Sequence, residues 1–402
     1  MTRTVVVTGI GAVTAIGETA SETWGAACRE DSGADRISRF DTDSAAVRST
    51  IACEVNRPLA DHPLVDERQM GRYAQLAVVA AEEAIEDAGF SPDDPSWDPP
   101  RVGTSIASAL GGLSETESTA GERPSTRFLV TALSNLAAGH VSMAFDARGP
   151  NRAPATACAA GSHAIADAVS DIRDGRADVV IAGGTEAPIS PLGVGGFDSM
   201  RALSTRNGDP AVASRPFDAD RDGFVIGEGS GVLVLESREH AEQRGATVYA
   251  EVAGYGLTGD AHHPTRPAEE GRGLQRCLHR ALDDAGMESS DVDFISAHGT
   301  STPTGDAFEA DALRAVFDDC PPVTSVKGVL GHTLGAAGAI EGVLAAKSLD
   351  SGTIPPTANY QTPDPECSIP VVSEARDEDI DIVVSNSAGF GGTNGVLVFR
   401  HA

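Results

Sequence analysis

Short apolar runs of strand length alternate with longer segments of helical spacing along almost the whole chain, and most of the helical segments close on glycine. "TVVVTGIGAV" (4–13) reads as a buried strand ending in a glycine turn, and "RYAQLAVVAAEEAIEDAG" (72–89) as a helix stopped by Gly89. "RVGTSIASA" (101–109) is strand, "CAAGSHAIADAVSDIRDG" (158–175) helix, and "ADVVIAGGTEA" (177–187) strand. "GSGVLVLES" (229–237) is a further strand, ahead of the charged helix "REHAEQRG". The order then recurs. "TVYAEVAGYGLTGD" (247–260) and "DVDFISAHGT" (291–300) are strands flanking the helix "GRGLQRCLHRALDDAG" (271–286). The helix "DAFEADALRAVF" (306–317), the strand "PVTSVK" (322–327) and the helix "GAAGAIEGVLAAKSLDSG" (335–352) follow. "DIVVSNSAGFGG" (381–392) and "TNGVLVFR" (393–400) form a final strand pair. Two βα-alternating halves, 1–245 and 246–402, meet near residue 245; the repeat is one of element order, since the halves share little sequence. Such alternation predicts an α/β fold with a buried, mostly parallel sheet. "FSPDDPSWDPP" (90–100) reads as a surface loop.

The 402 residues, 41% hydrophobic with 44 glycines, can bury a large core as two domains or one α/β unit. No apolar run has spanning length, and "MTRTVVVTGIGAV" lacks the shape of a signal peptide, so a cytoplasmic protein is expected. The net charge of −29 makes nucleic acid and anionic membrane poor partners. Only Lys327 and Lys347 are lysines; the other basic residues are arginine. An acidic, lysine-poor surface points to a salt-adapted cytoplasm, in which the Debye length falls to ~3 Å at molar salt. A chain that avoids lysine but keeps one between two glycine-rich stretches needs that ammonium. Six cysteines without a CxxC pair argue against a zinc site or a disulfide framework.

Two motifs resemble chemistry without carrying it. "GIGAVT" (9–14) begins like a dinucleotide fingerprint but has Thr14 at the third glycine. "DADRDG" (218–223) begins like a calcium loop, but its twelfth position falls on Gly229, with Glu228 one residue early. No P-loop is present, and no metal or organic cofactor is expected.

Four other stretches fit one reaction. Cys158 stands at a predicted helix N-terminus, where unpaired N–H groups and the macrodipole favour a thiolate, and its alanine and glycine neighbours leave room for a carbonyl. His298 follows a strand end in "SAHGTSTPTGDAFEAD" (296–311). Lys327 and His332 lie five residues apart in "SVKGVLGHTLGAAGAIEG" (325–342). "NSAGFGGTNG" (386–395) offers an exposed amide and a mobile aromatic at Phe390. A thiol that takes an acyl group, two histidines that donate to a thioester carbonyl as it loses carbon dioxide, and amides for each oxyanion would perform a decarboxylative condensation.

The chain resembles the β-ketoacyl synthases of the thiolase fold, close to the acyl-carrier-protein synthase II group, over essentially its whole length. "TACAAGSHAI", "RPFDADRDGFVIGEGSGVLVLE", "AHGTSTPTGD", "VKGVLGHTLGAAG" and "NSAGFGGTN" carry the resemblance. It implies duplicated βαβαβ halves stacked as a five-layer α-β-α-β-α sandwich, usually in a homodimer, with a heterodimer of related subunits as the alternative. It implies Cys158 as nucleophile, with its own N–H and that of Phe390 as oxyanion hole and Phe390 as a gate. His298 and His332 match the pair that supports decarboxylation and condensation, Lys327 the lysine that organises His332, and Glu309 an acid of the same network. Thr300 and Thr302 match positions that hydrogen-bond a phosphopantetheine arm, and Leu110 one that lines the acyl pocket across the dimer. Implied substrates are acyl and malonyl thioesters on acyl carrier protein or coenzyme A, with phosphopantetheine arriving on the substrate. The alternatives are a non-condensing chain-length-setting partner, which the presence of Cys158 opposes, and a biosynthetic thiolase, which the Cys–His–His set opposes.

The departures are local. Ala388 stands where the family usually has Phe, and Pro264 where Met is usual. The stretch between "GGL" (111–113) and "NLAAGH" (135–140) is short, and "SVKGVLGH" replaces the usual sequence around Lys327. Carrier proteins are acidic, so docking to this acidic chain needs a basic patch; Arg68, Arg72, Arg123, Arg127, Arg201 and Arg206 are the candidates, and Arg201 best matches a family docking position.

Overall fold

In the computed structural model, residues 3–91, 94–121 and 123–402 are described; Pro92 and Asp93 of the predicted 90–100 loop lie outside them. Ten strands form one sheet: β1 (Val5–Thr14), β2 (Val102–Ala107), β3 (Asn151–Arg152), β4 (Val179–Glu186), β5 (Gly229–Ser237), β6 (Ala250–Gly259), β7 (Phe294–Ser296), β8 (Val323–Thr324), β9 (Ile382–Gly389) and β10 (Thr393–Arg400). Their order is β8-β7-β9-β10-β6-β1-β5-β4-β2-β3. Each strand of the first half thus has a counterpart five strands later. The two five-stranded halves meet where Val6 and Val7 of β1 pair antiparallel with Glu251 and Ala250 of β6.

The sheet is mixed, which corrects the expectation of a mostly parallel one. β2 pairs parallel with β3 and β4, and β7 parallel with β8 and β9. The remaining pairings, β1–β5, β4–β5, β9–β10, β6–β10 and β1–β6, are antiparallel. The antiparallel strands still read as continuous apolar runs because helices cover both their faces. Side chains alternate between cores with the strand period of two: Leu233, Leu235, Leu397 and Phe399 enter one core, Val232 and Val234 a second, and Val396 and Val398 a third.

Those three cores define five layers. The central core holds α3 (Ala160–Arg173) and α7 (Ala337–Ser351) between the two half-sheets. One outer core packs α1 (Arg72–Asp87) and α2 (Leu136–Ala144) on the first half; the short α4 (Arg238–Arg244) follows β5, and the other outer core packs α5 (Arg272–Ala285) and α6 (Pro303–Val316) on the second half. α7 is buried on all sides, as its run of Ala, Gly, Ile, Val and Leu requires. The glycines of the "GIG" stretch have a packing role: a Cβ at Gly9 or Gly11 would overlap the carbonyl oxygens of Ala84 or Ala80 in α1. Gly254 and Gly256 of β6 meet α5 in the same way. No helix among the described residues is long and apolar enough to cross a membrane.

Candidate active site

Cys158 follows β3, His298 follows β7, His332 follows β8 and Phe390 follows β9. All four therefore lie in the connections that follow strands, and all line one cavity of about 490 Å³. Cys158 occupies a 3₁₀ turn, Ala157–Ala159, ahead of α3 rather than the first α-helical turn itself. Ala157 is held at φ 53°, a conformation that costs a non-glycine residue about 1–2 kcal/mol and turns the thiol toward the cavity.

The helix terminus does not make a resting thiolate. The thiol is pushed up to about 12 by burial, which outweighs the lowering effects of Lys327 and of the N–H groups of Phe390 and Cys158. Cys158 keeps partial solvent contact through the cavity, yet protein surrounds the sulfur on every other side. Desolvation of an anion in such a place exceeds the pull of a helix end. The same two amides, from Cys158 itself and from Phe390, are the ones directed at the sulfur.

The rings of His298 and His332 stand nearly perpendicular, their centroids 5.3 Å apart. Burial first, then the charge of Lys327, holds both well below the ordinary histidine range; His298 is lowered further by His332. Both rings are thus neutral at pH 7, and each buried Nδ1 lacks a partner among the described residues. The backbone of His332 is clamped by the segment that the "GFVIGEG" stretch supplies. Its N–H donates to the Val225 carbonyl at 2.7 Å, its carbonyl accepts from Gly227 N–H at 3.0 Å, and the Phe224 ring meets it edge-on at 5.3 Å. His298 is held by Glu309, whose carboxylate accepts from the N–H groups of His298 (2.8 Å) and Gly299 (2.7 Å) and from Asn386 Nδ2 (3.2 Å).

Lys327 is buried, and its ammonium pairs with Glu341, a residue that the sequence reading passed over. Glu341 is the lone acid between Gly331 and Leu349, in an otherwise apolar small-residue helix, and that was the available signal. Burial pushes Glu341 up to about 7 while Lys327 pulls it down. Lys347, by contrast, pairs with Asp350 at 3.1 Å near the surface. Glu186, at the end of β4, was also missed. It accepts from Ser108 Oγ and from the N–H groups of Ala109, Leu110 and Gly335 at 2.7–3.1 Å, joining the loop after β2 to the turn before α7.

Thr300 and Thr302 line the cavity, their hydroxyls 3.0 Å apart. Thr302 is also the N-cap of α6, accepting from Gly305 N–H. Leu110 is not among the cavity's lining residues; it is 38% exposed on the outer side of the Glu186 junction. Of the arginines, Arg201 lines the cavity mouth and has no carboxylate partner among the described residues. Arg206 is held by Asp222 at 3.6 Å and by the Asp220 carbonyl. Arg68, Arg123 and Arg127 are exposed away from the lining. The Arg72 guanidinium is engaged within the chain: it makes two bonds to the buried Glu228, at 2.8 and 2.9 Å, and one to the Val55 carbonyl. The Asp218 carboxylate of "DADRDG" is filled by protein donors, Arg215 Nε at 2.9 Å and the N–H groups of Asp220, Gln361 and Thr362.

Residues 2–241 match the family model described as "Beta-ketoacyl synthase, N-terminal domain", and residues 249–361 that described as "Beta-ketoacyl synthase, C-terminal domain". The 3-oxoacyl-[acyl-carrier-protein] synthase 2 of Staphylococcus aureus (strain N315) is 44% identical over 411 residues, covering 99% of this chain and 98% of the relative. That of Coxiella burnetii (strain RSA 493 / Nine Mile phase I) is 44% identical over 409 residues, with 98% of each covered. Among solved structures, a type II polyketide ketosynthase, bound to a hexaketide and in complex with its acyl-carrier protein, superposes with a TM-score of 0.92 at 36% identity, over 100% of both chains. A β-ketoacyl synthase from Burkholderia phymatum STM815 gives 0.93 at 35% identity, also over 100% of both.

Proposed function

The chain belongs to the β-ketoacyl synthase family, and from that premise we propose that Cys158, His298 and His332 carry the family's decarboxylative condensation here. The family's members are acyltransferase-type condensing enzymes of fatty-acid and polyketide synthesis, and need no cofactor beyond the pantetheine on the substrate. The reading rests on one observation: a thiol, two amides directed at it and two neutral imidazoles share a single cavity.

In the first step the Cys158 sulfur attacks a donor acyl thioester. The Sγ–acyl bond forms, the donor's carbon–sulfur bond breaks, and the thiol proton ends on the released pantetheine sulfur. A malonyl thioester then loses carbon dioxide, and His298 and His332 donate N–H bonds to its carbonyl as the enolate forms; a neutral imidazole with a free N–H suits that task. The enolate carbon attacks the acyl carbonyl. The N–H groups of Cys158 and Phe390 hold the resulting oxyanion, the carbon–Sγ bond breaks, and the cysteine regains a proton from solvent. Burial, reinforced by the charge of Lys327, keeps both histidines neutral; Lys327 is itself balanced by Glu341, while Glu309 fixes the His298 loop. Phe390 opens and closes the acyl side of the site.

Donors on an acyl carrier protein are proposed to dock at Arg201, with Thr300 and Thr302 along the pantetheine arm. A second copy of the chain is proposed to cover the exposed Leu110, Leu129, Val130 and Leu133. The division into halves 1–245 and 246–402 and a cytoplasm rich in salt complete the proposal. The test is condensation of acyl and malonyl thioesters followed by product mass. Cys158→Ala is expected to abolish the 3-oxoacyl product; full turnover by that variant contradicts the mechanism.

A further inference from the structure

Glu186 is the fully buried last residue of β4; it lies outside the lining of the cavity, and the condensation chemistry gives it no task. Each of its oxygens nevertheless takes two donors. Oε1 accepts from Ser108 Oγ at 2.8 Å and from Leu110 N–H at 3.1 Å, and Oε2 from Ala109 N–H at 2.7 Å and from Gly335 N–H at 3.0 Å. Burial raises its carboxyl above the ordinary glutamate range, and these donors oppose the rise. A buried group so fully engaged makes a rigid joint. The two sides that it joins are the two sides of the site.

On one side, the loop Ser108–Leu110 leads to the nucleophile: Ser108 N–H donates at 3.3 Å to the carbonyl of Pro154, four residues ahead of Cys158. On the other side, Gly335 stands three residues past His332. Between them Leu334 lines the cavity at φ 49°, and a strained backbone of that kind persists only where its surroundings fix it. The packing leaves little slack. A Cβ at Gly335 would come within 2.5 Å of Ala109 N, and one at Gly184 of β4 within 2.5 Å of the Gly335 carbonyl oxygen. A Cβ at Gly161, three residues past Cys158, would stand 3.0 Å from that same oxygen. The turn after His332 thus lies backbone to backbone against β4, the loop after β2 and the helix that follows Cys158. Only a carboxyl group fills the joint, because a glutamine in its place has one acceptor oxygen and turns an NH₂ toward N–H donors.

We propose that Glu186 is a positioning residue of the condensation: by tying the segment ahead of Cys158 to the segment behind His332, it sets the separation between the acyl carbonyl on the sulfur and the enolate that the histidines hold. The inference rests on the condensation reading above and adds a residue that touches neither reactant. Acyl transfer uses the Cys158 side alone, and loss of carbon dioxide uses the histidine side alone. Carbon–carbon bond formation needs the two in register, and a misplacement on the order of 1 Å costs about 10²-fold there. An enolate held out of reach takes a proton from solvent, so the malonyl thioester ends as carbon dioxide and an acetyl thioester.

The test compares the unaltered protein with Glu186→Gln and with Glu186→Asp, which keeps both oxygens but shortens their reach. Three quantities are read: the rate of acyl adduct formation on Cys158 by intact mass, the rate of 3-oxoacyl product, and the carbon dioxide released per product from pre-acylated protein. The unaltered protein is expected to release one carbon dioxide per product. Glu186→Gln is expected to form the adduct at close to the parent rate, to make 3-oxoacyl product about 10²-fold more slowly, and to raise the ratio above one as acetyl thioester appears. Glu186→Asp is expected to lie between the two, and its ratio decides the matter where Glu186→Gln does not fold. A loss that is merely structural lowers adduct and product together and leaves the ratio at one. That result, or condensation at the parent rate, overturns the positioning role while leaving the condensation reading intact. Failure of the unaltered protein to form any adduct overturns the reading on which both stand.

Discussion

Two turns in this molecule share a backbone and differ in chemistry. The 3₁₀ turn Ala157–Ala159 leads into α3, and the 3₁₀ turn Leu334–Ala336 leads into α7. Ala157 has φ 53° and Leu334 φ 49°, and the sequence Ala-Ala-Gly follows both Cys158 and Gly335. The two helices lie side by side in the central layer, and they occupy matching places in the two half-sheets. Where the first turn carries a thiol, its twin carries a hydrogen atom. Where the amide of Cys158 faces an open cavity, that of Gly335 donates to Glu186 at 3.0 Å, and Ala109 N–H donates to the same oxygen at 2.7 Å.

The strained turn therefore comes with the duplicated fold and is not itself the catalytic device. In the second half its amide donates to a carboxyl group, and in the first the proposed condensation gives the amide the same task toward a substrate oxyanion. The second acceptor is the protein's own, so that turn is structural. What distinguishes the nucleophile's turn is the cavity in front of it and the neutral histidines that the other half's strands deliver there.

The comparison is broken most severely at Cys158. Cys158→Gly makes the first turn like its twin; condensation is expected to fall by a factor on the order of 10⁴ or more, with a thermal midpoint within a few degrees of the parent. A variant that keeps one part in a hundred of the rate contradicts the assignment. Next in size is the buried ion pair beneath the site. Lys327→Met alone leaves Glu341 buried and unpaired and is expected to cost about 3–5 kcal/mol in urea unfolding. Lys327→Met with Glu341→Leu is expected to recover most of that stability without restoring condensation; additive losses contradict the pairing.

His298→Ala and His332→Ala are expected to slow carbon–carbon bond formation by about 10²–10³ while the acyl adduct on Cys158 still forms. Loss of the adduct alone contradicts the roles given to the histidines. At the twin turn, Gly335→Ala would press a methyl group against Ala109 and Glu186 and is expected to cost about 1–3 kcal/mol. A variant as stable as the parent shows that the junction yields more easily than its packing implies. The smallest effect is a slope. Because burial holds the Cys158 thiol up to about 12, its alkylation by iodoacetamide is expected to rise about tenfold per pH unit between pH 6 and 9. A plateau below pH 8 means that the helix terminus wins over desolvation after all.

Much of this architecture is legible in the sequence, because apolar period and glycine punctuation report local structure. The strand 229–237 begins and ends as read, and the helix over 72–89 closes at Asp87, two residues short of its predicted end. The sheet's polarity was not legible. A strand buried on both faces shows the same apolar run whether its neighbours run parallel or antiparallel, so β5 and β6 gave no sign of their direction. At the site, Cys158, His298, Lys327, His332 and Phe390 stood out because each is a reactive or aromatic residue amid small ones. Glu341 and Glu186 did not, since a single acid in an apolar segment announces burial but not its partner. The thiol's raised value also escaped, because a helix start is visible in sequence and the depth of a cavity is not. The twin turn was hidden by its brevity: three residues, Ala-Ala-Gly, recur among halves that otherwise share little.

The most direct test is the intact mass of the purified protein in molar salt, mixed first with an acyl thioester and then with a malonyl thioester. The account expects an acyl increment that maps to Cys158 and disappears on malonyl addition, with one carbon dioxide and one 3-oxoacyl thioester released per adduct. An adduct that malonyl thioester leaves in place, or a 3-oxoacyl product formed without passing through Cys158, contradicts it.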